Sequence, residues 1–315
     1  MKKPDLEFKI RFKGRYRLVV NEGTEREVDT GWFDNIVTDI GLDRLAQATA
    51  AQVFNFSSIG TGTAAASASD TSLVAFVADS SNIVVDSQSN LGSPNYEGHM
   101  QVHYTYAQGA VVGNMAEVGL GWASGGGSLW SRARIEYNGT PTTLTLISLD
   151  QLTVYYELTC TPVITDISGS VSISSVSHAY EGRLASSGQF MTALYNTLSS
   201  SGVEWAQIVS SNGNPTSQVC NSYEASSALG AITTTPTGTT EQSGSSSVGS
   251  YTPGTFHRDS TLTLSPSQGN LSGGIGGLML YYSADRMRFQ YHFDVPIPKD
   301  NTKTLTLTAR MSWGR

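Results

Sequence analysis

Apolar and polar residues alternate over long stretches of this chain, and the alternation predicts strands. From the start, Leu6, Phe8, Ile10 and Phe12 are separated by Glu7, Lys9, Arg11 and Lys13. A period of two over that length describes a strand with one buried face. Gly14 reads as a break, after which Tyr16, Leu18 and Val20 resume the alternation up to an Asn21-Glu22-Gly23 turn, so residues 1–34 form an N-terminal hairpin. The charged face of this strand either meets an acidic neighbour or is solvated, and solvation is the commoner state of such faces.

The period then changes. Thr38 is placed to cap a short helix, Asp39 favours its positive end, and Leu42, Leu45, Ala46 and Thr49 fall on one side. Residues 53–59 alternate again and run into a Gly60-Thr61-Gly62-Thr63 turn. Residues 64–98 read as a long polar loop containing short strands near 73–77 and 83–85. Strands follow at 100–106, at 114–122 with Met115, Val118 and Leu120 inward, and at 129–137 and 143–159 around an Asn138-Gly139-Thr140-Pro141 turn.

Composition agrees with a turn-rich β protein. Charged residues are 14% of the 315, against roughly 25% in an average soluble protein. The net charge of -7 argues against nucleic acid as a partner, because phosphate neutralisation needs clustered Lys and Arg. Two cysteines, Cys160 and Cys220, are too few for a disulfide framework and read as free thiols. No stretch approaches the roughly 20 apolar residues of a membrane helix, and the N-terminus lacks the apolar run of a signal peptide. The expectation is a soluble protein made in a reducing cytoplasm, without membrane insertion.

Several strings carry a resemblance. Asn35-Ile36-Val37-Thr38 followed by Gly41-Leu42, then Ile59-Gly60-Thr61-Gly62-Thr63, then Asp70-Thr71-Ser72-Leu73, resembles a segment common in tail-fibre, collar and baseplate proteins of tailed bacteriophages. Glu117-Val118-Gly119-Leu120, Trp130-Ser131-Arg132-Ala133 and the closing strand at 152–158 resemble the same family. The resemblance implies a virion structural protein of the tail, assembled in the host cytoplasm, joining tail, collar or baseplate to fibres. The alternative it implies is a short tail fibre or receptor-binding protein that contacts a host glycan or protein through exposed loops.

The later chain echoes the earlier one in the same order. Residues 188–194 parallel the first helix, 205–213 the strand and turn at 54–62, 276–280 the strand at 118–122, and 304–311 the strand at 151–158. This predicts a mainly β protein of two tandem antiparallel sandwiches, each with one helix, at 1–162 and 163–315. Three duplicated chains would make a pseudo-sixfold ring, so a homo-oligomer, a trimer in particular, is the expected self-assembly. Residues 226–254 replace the first copy's loop with a run nearly free of charge, which by composition stays mobile unless a neighbour holds it.

Candidate chemistry is sparse. The glycine runs at 60–62 and 273–277 lack the Lys-Ser/Thr ending of a phosphate loop. His99 and His103, four apart on one strand face, stand about 13 Å apart and cannot chelate one metal unaided. Asp34, Asp39 and Asp43 near the helix, and Asp285, Asp294 and Asp300 near the last strands, fit turn and cap roles better than a glycosidase pair. No catalytic residue, metal or cofactor is expected. Trp122, Tyr281, Tyr282, Tyr104 and Tyr106 are the candidates for interface or receptor contact, since Tyr and Trp anchor interfaces and stack on sugars.

Overall fold

The computed structural model describes residues 5–46, 53–90, 96–185, 220–232, 234–282 and 287–315. Strand β1 (Leu6–Val20) is its axis, and its even-numbered residues are buried as the period-two pattern requires. Gly14 does not break it. A Cβ at Gly14 would lie 2.2 Å from the Tyr156 hydroxyl and 2.8 Å from Asn35 Oδ1, so the glycine makes room for a buried ring within a continuous strand. The turn at Asn21 and Gly23, both at positive φ, returns the chain as β2 (Val28–Asp29) and β3 (Phe33–Asp34), which pair with β1 and complete the expected hairpin.

The first half continues with β4 (Ile36–Val37), helix α1 (Asp39–Leu45), β5 (Phe56–Gly60), β6 (Phe76–Ser80), β7 (Ile83–Asn90), β8 (Gly98–Thr105), β9 (Gly113–Met115), β10 (Glu117–Gly121), β11 (Leu129–Arg134), β12 (Glu136–Tyr137), β13 (Thr140–Pro141), β14 (Leu144–Leu146) and β15 (Leu152–Pro162). The second adds β16 (Ile167–Ile173), β17 (Val176–Leu184), β18 (Cys220–Glu224), β19 (Thr240–Ser243), β20 (Ser245–Val248), β21 (His257–Leu264), β22 (Ile275–Tyr282), β23 (Met287–Ile297) and β24 (Leu305–Gly314). The protein is mainly β. The stretch expected as one strand at 143–159 is interrupted after β14, where Asp150 accepts a hydrogen bond from the Ile147 amide and shapes a turn.

One nine-stranded sheet runs β20-β21-β24-β1-β15-β8-β7, with β2 and β3 paired to β1 off this path, and crosses both halves of the chain. β1 is antiparallel to β15 along residues 10–20 and parallel to β24 along residues 6–11. Smaller sheets cover its inner face, β4-β11-β10-β5-β6 on one side and β16-β17-β23-β22-β18-β19 on the other. β1 packs against both of them. Phe12 meets Trp130 edge-on at 6.0 Å and the Tyr16 hydroxyl lies 2.7 Å from Ser131 Oγ, while Phe8 stacks on Phe289 at 4.2 Å. A single buried apolar cluster therefore runs from Leu6 through both halves to Trp313.

β24 pairs with β1, and the buried core is continuous across residue 162. One expectation changes: the described residues of 226–254 are held within the chain. β19 pairs β18 and β20 pairs β21, the Tyr251 ring sits 5.6 Å from Trp313, and Asp43 accepts hydrogen bonds from the Tyr251 hydroxyl and, at 2.8 Å, from the Gly254 amide. The parallels drawn at 188–194 and 205–213 lie outside the described residues.

The outer face of the large sheet carries paired charges. Arg17 grips Asp29 through two nitrogens, and Arg310 grips Asp259 in the same way. Hydrogen bonding from the guanidinium is the main cause that holds each carboxyl below its ordinary value. The contribution is full above the unfolded aspartate pKa of about 3.9 and is lost as pH falls below it. Thermal melts between about pH 6 and pH 2 are expected to show falling stability through that window, with a shallower slope in Arg17→Met.

Cys160 is buried, and burial pushes its thiol well above the ordinary range. In a Cys220→Ser background the native protein is expected to resist thiol labelling at about pH 8 and to label stoichiometrically in denaturant.

Candidate functional site

The strings that carried the family resemblance meet in space around β10 and β11. Helix α1 is seated first. The Thr38 hydroxyl caps it by accepting from the Gly41 amide at 3.0 Å and donates to the Leu129 carbonyl, while the Thr38 amide reaches the Trp130 carbonyl at 2.9 Å. Gly41 lies so close to β11 that a Cβ would stand 2.5 Å from the Trp130 carbonyl oxygen.

Beside the helix lies a buried ion pair. Glu117 on β10 and Arg132 on β11 are 0% and 1% exposed, and Arg132 Nε donates to Glu117 Oε2 at 2.8 Å. The loop after β5 closes over them. Glu117 accepts from the amides of Gly62 at 3.1 Å, Val74 at 3.0 Å and Ala75 at 2.7 Å. Arg132 donates to Asp70 at 2.7 Å and to the carbonyls of Ala64 at 2.9 Å and Ala65 at 3.2 Å. Both groups are thereby satisfied by hydrogen bonds, the condition under which a buried charge is tolerated.

This geometry explains the Gly-x-Gly turn. A Cβ at Gly60 would meet Glu117 Oε1 at 2.6 Å, and one at Gly62 would meet it at 2.4 Å. The turn is therefore shaped around a carboxylate of the same chain, with no opening for a phosphate. The sequence pattern marks the strings and not the pair. The available signal was an acid and a base, Glu117 and Arg132, in strands otherwise rich in apolar and small residues.

The second half uses a neutral counterpart. Gln290 on β23 is fully buried; its Oε1 accepts from the Gly230 amide at 2.8 Å and its Nε2 donates to the Ala231 carbonyl at 3.1 Å, fixing the loop after β18.

The aromatic candidates divide. Tyr104 and Tyr106 are core residues, with hydroxyls donating to the carbonyls of Phe54 and Ser57 at 2.5 Å each, so neither can touch a partner or a sugar. Their strand alternates as expected, and its buried face is the one that carries them. Trp122 is partly exposed, with the Arg44 guanidinium 5.1 Å from its ring centre. Tyr281 and Tyr282 pair through their backbones with Arg288 and Met287, and their side chains lie outside the described residues.

Asp285 lies outside the described residues, and four of the remaining candidates have local partners. His103 Nδ1 lies 2.6 Å from Asp86 and His99 Nε2 3.3 Å from Glu97, and no group of His, Cys, Asp or Glu among the described residues could hold a metal. Asp34 pairs with Lys13 at 3.2 Å and Asp39 with Arg315 at 2.6 Å. An open cleft of about 560 Å³ borders β1 and β4, lined by Arg11, Lys13, Asn35, Glu97, Thr161 and Arg315 among others. Its lining has one carboxylate and so lacks the acid pair of a glycosidase.

The fold and these contacts define a β scaffold whose polar core residues hold loops in place. No family model, curated protein or solved structure matches the chain. No helix among the described residues is long and apolar enough to cross a membrane.

Proposed function

We propose that this chain is a structural subunit of a bacteriophage tail, joining tail, collar or baseplate to fibres by packing against neighbouring proteins. The observation that carries the reading is the convergence of the resembling strings. Gly60, Gly62, Asp70, Glu117 and Arg132 meet in one buried network that fixes a loop and leaves no group free for catalysis. Residues used in this way preserve a shape, and a preserved shape is what an assembly subunit offers its neighbours.

The repeat belongs to the same proposal. The pairings β6-β5-β10-β11 and β7-β8-β15 of the first half have the same order as β19-β18-β22-β23 and β20-β21-β24 of the second. Shared order supports two copies of one ancestral unit, and a trimer of such chains would present six similar faces to a sixfold tail.

Cryo-EM of the virion tests both points, with the expected result of closed rings of three copies each between tail and fibre. Adsorption of the purified protein to host cells separates the alternatives. Saturable binding that blocks infection would replace the adaptor reading with that of a short tail fibre.

A further inference from the structure

We propose that β16 is an interface strand along which two copies of this chain pair, antiparallel, across a twofold axis at Ser170. The inference goes beyond the tail reading and does not depend on it. Among the described residues β16 pairs only with β17, and no described strand lies along its other edge. Open edges are normally guarded by charge, bulges or shortness, because their free amides and carbonyls recruit other strands.

The other described edges of the large sheets are guarded. β7 carries Asp86 and an irregularity between Val85 and Ser87. β6 carries Asp79, β19 carries Glu241, β20 has four residues and β4 has two. β16, in contrast, is seven residues of Ile-Ser-Gly-Ser-Val-Ser-Ile without a charge, a proline or a break in register. An unguarded edge of this length is an aggregation site unless a specific partner covers it.

The pattern of β16 names the partner. Read outward from Ser170, it matches at Ser168 and Ser172 and at Ile167 and Ile173, and differs at Gly169 and Val171. An antiparallel second copy centred on Ser170 sets Ile against Ile, Ser against Ser, and Gly against Val, with no like charges opposed.

The backbone has the matching phase. Ser174 and Ser175 both have positive φ, the signature of a two-residue type I′ turn, in which Ile173 and Val176 form the hydrogen-bonded pair. Alternation along an antiparallel ladder then turns the amides and carbonyls of Ser172, Ser170 and Ser168 away from β17. In the proposed register these same residues face one another and exchange about six hydrogen bonds. The contact would join two six-stranded sheets, one from each copy, into a continuous sheet.

The test is the mass of the full chain by light scattering and sedimentation across a concentration series. Wild type is expected to associate, and Ser170→Pro, which removes an outward-facing amide and is tolerated at an edge, to halve the mass while keeping a cooperative melt. Ser170→Lys and Ser170→Asp are each expected to halve the mass, and their equimolar mixture to restore it, which a misfolded variant cannot do. A wild type at single-chain mass throughout, variants that keep the wild-type mass, or two folded charge variants that fail to combine would each overturn the proposal.

Discussion

Glu117→Leu is expected to lower the melting temperature by roughly 6 °C, because it strands Arg132 as a buried charge. Removing one partner of a buried pair costs about 3–5 kcal/mol, the penalty being the group left behind. In a chain of this size each kcal/mol moves the midpoint by roughly 1.5 °C. Asp70, 2.7 Å from Arg132, keeps part of the compensation, which places the effect within that range and not above it.

The loss is also local. The amides of Gly62, Val74 and Ala75 lose their acceptor, so amide exchange across residues 61–75 is expected to accelerate more than exchange in β15. Glu117→Leu with Arg132→Met removes both charges and is expected to recover part of the stability. A double variant less stable than either single one would show that the pair is not coupled as the distances indicate.

Separating the chain at residue 162 is the second large effect. Residues 163–315 expressed alone are expected to lack a cooperative melt, since β24 loses its parallel neighbour and Phe289 loses the stacked ring of Phe8. Leu6, Phe8 and Ile10 are each at most 2% exposed, and uncovering a large apolar side chain costs about 1.5–3 kcal/mol. Co-expression with residues 1–162 is expected to restore a folded complex. A sharp melt and dispersed spectra from 163–315 alone would show that the second half is a self-sufficient domain.

Both effects arise from contacts between residues far apart in sequence, and this separates what could be read early from what could not. The Thr38 cap, the inward faces of β1, β8 and β10, and the Asn21 and Asn138 turns were legible because each depends on a local period or a local backbone preference. Gly14 was misread as a break for the same reason. Only the Tyr156 ring, brought alongside by β15, explains a glycine there.

The interface candidates show the same limit. Alternation places Tyr104 and Tyr106 on one face of a strand but does not say whether that face meets water or another sheet. The sheet containing β5 covers it, and their hydroxyls bond to carbonyls on that segment. The low charge of 226–254 suggested mobility, yet Gln290, Asp43 and Trp313 supply the partners that its composition lacks.

The opening strand marks the division most clearly. Its amino acids alone determined that it is a strand and which residues face inward, because side-chain period acts residue by residue. Only tertiary structure decided that it lies between β15 and β24 and closes one core over two halves, because strand pairing is chosen by the surface that each edge buries. The same holds for the residues of the resembling strings, which became one network only when the sheet brought Glu117 and Arg132 side by side and folded the loop over them.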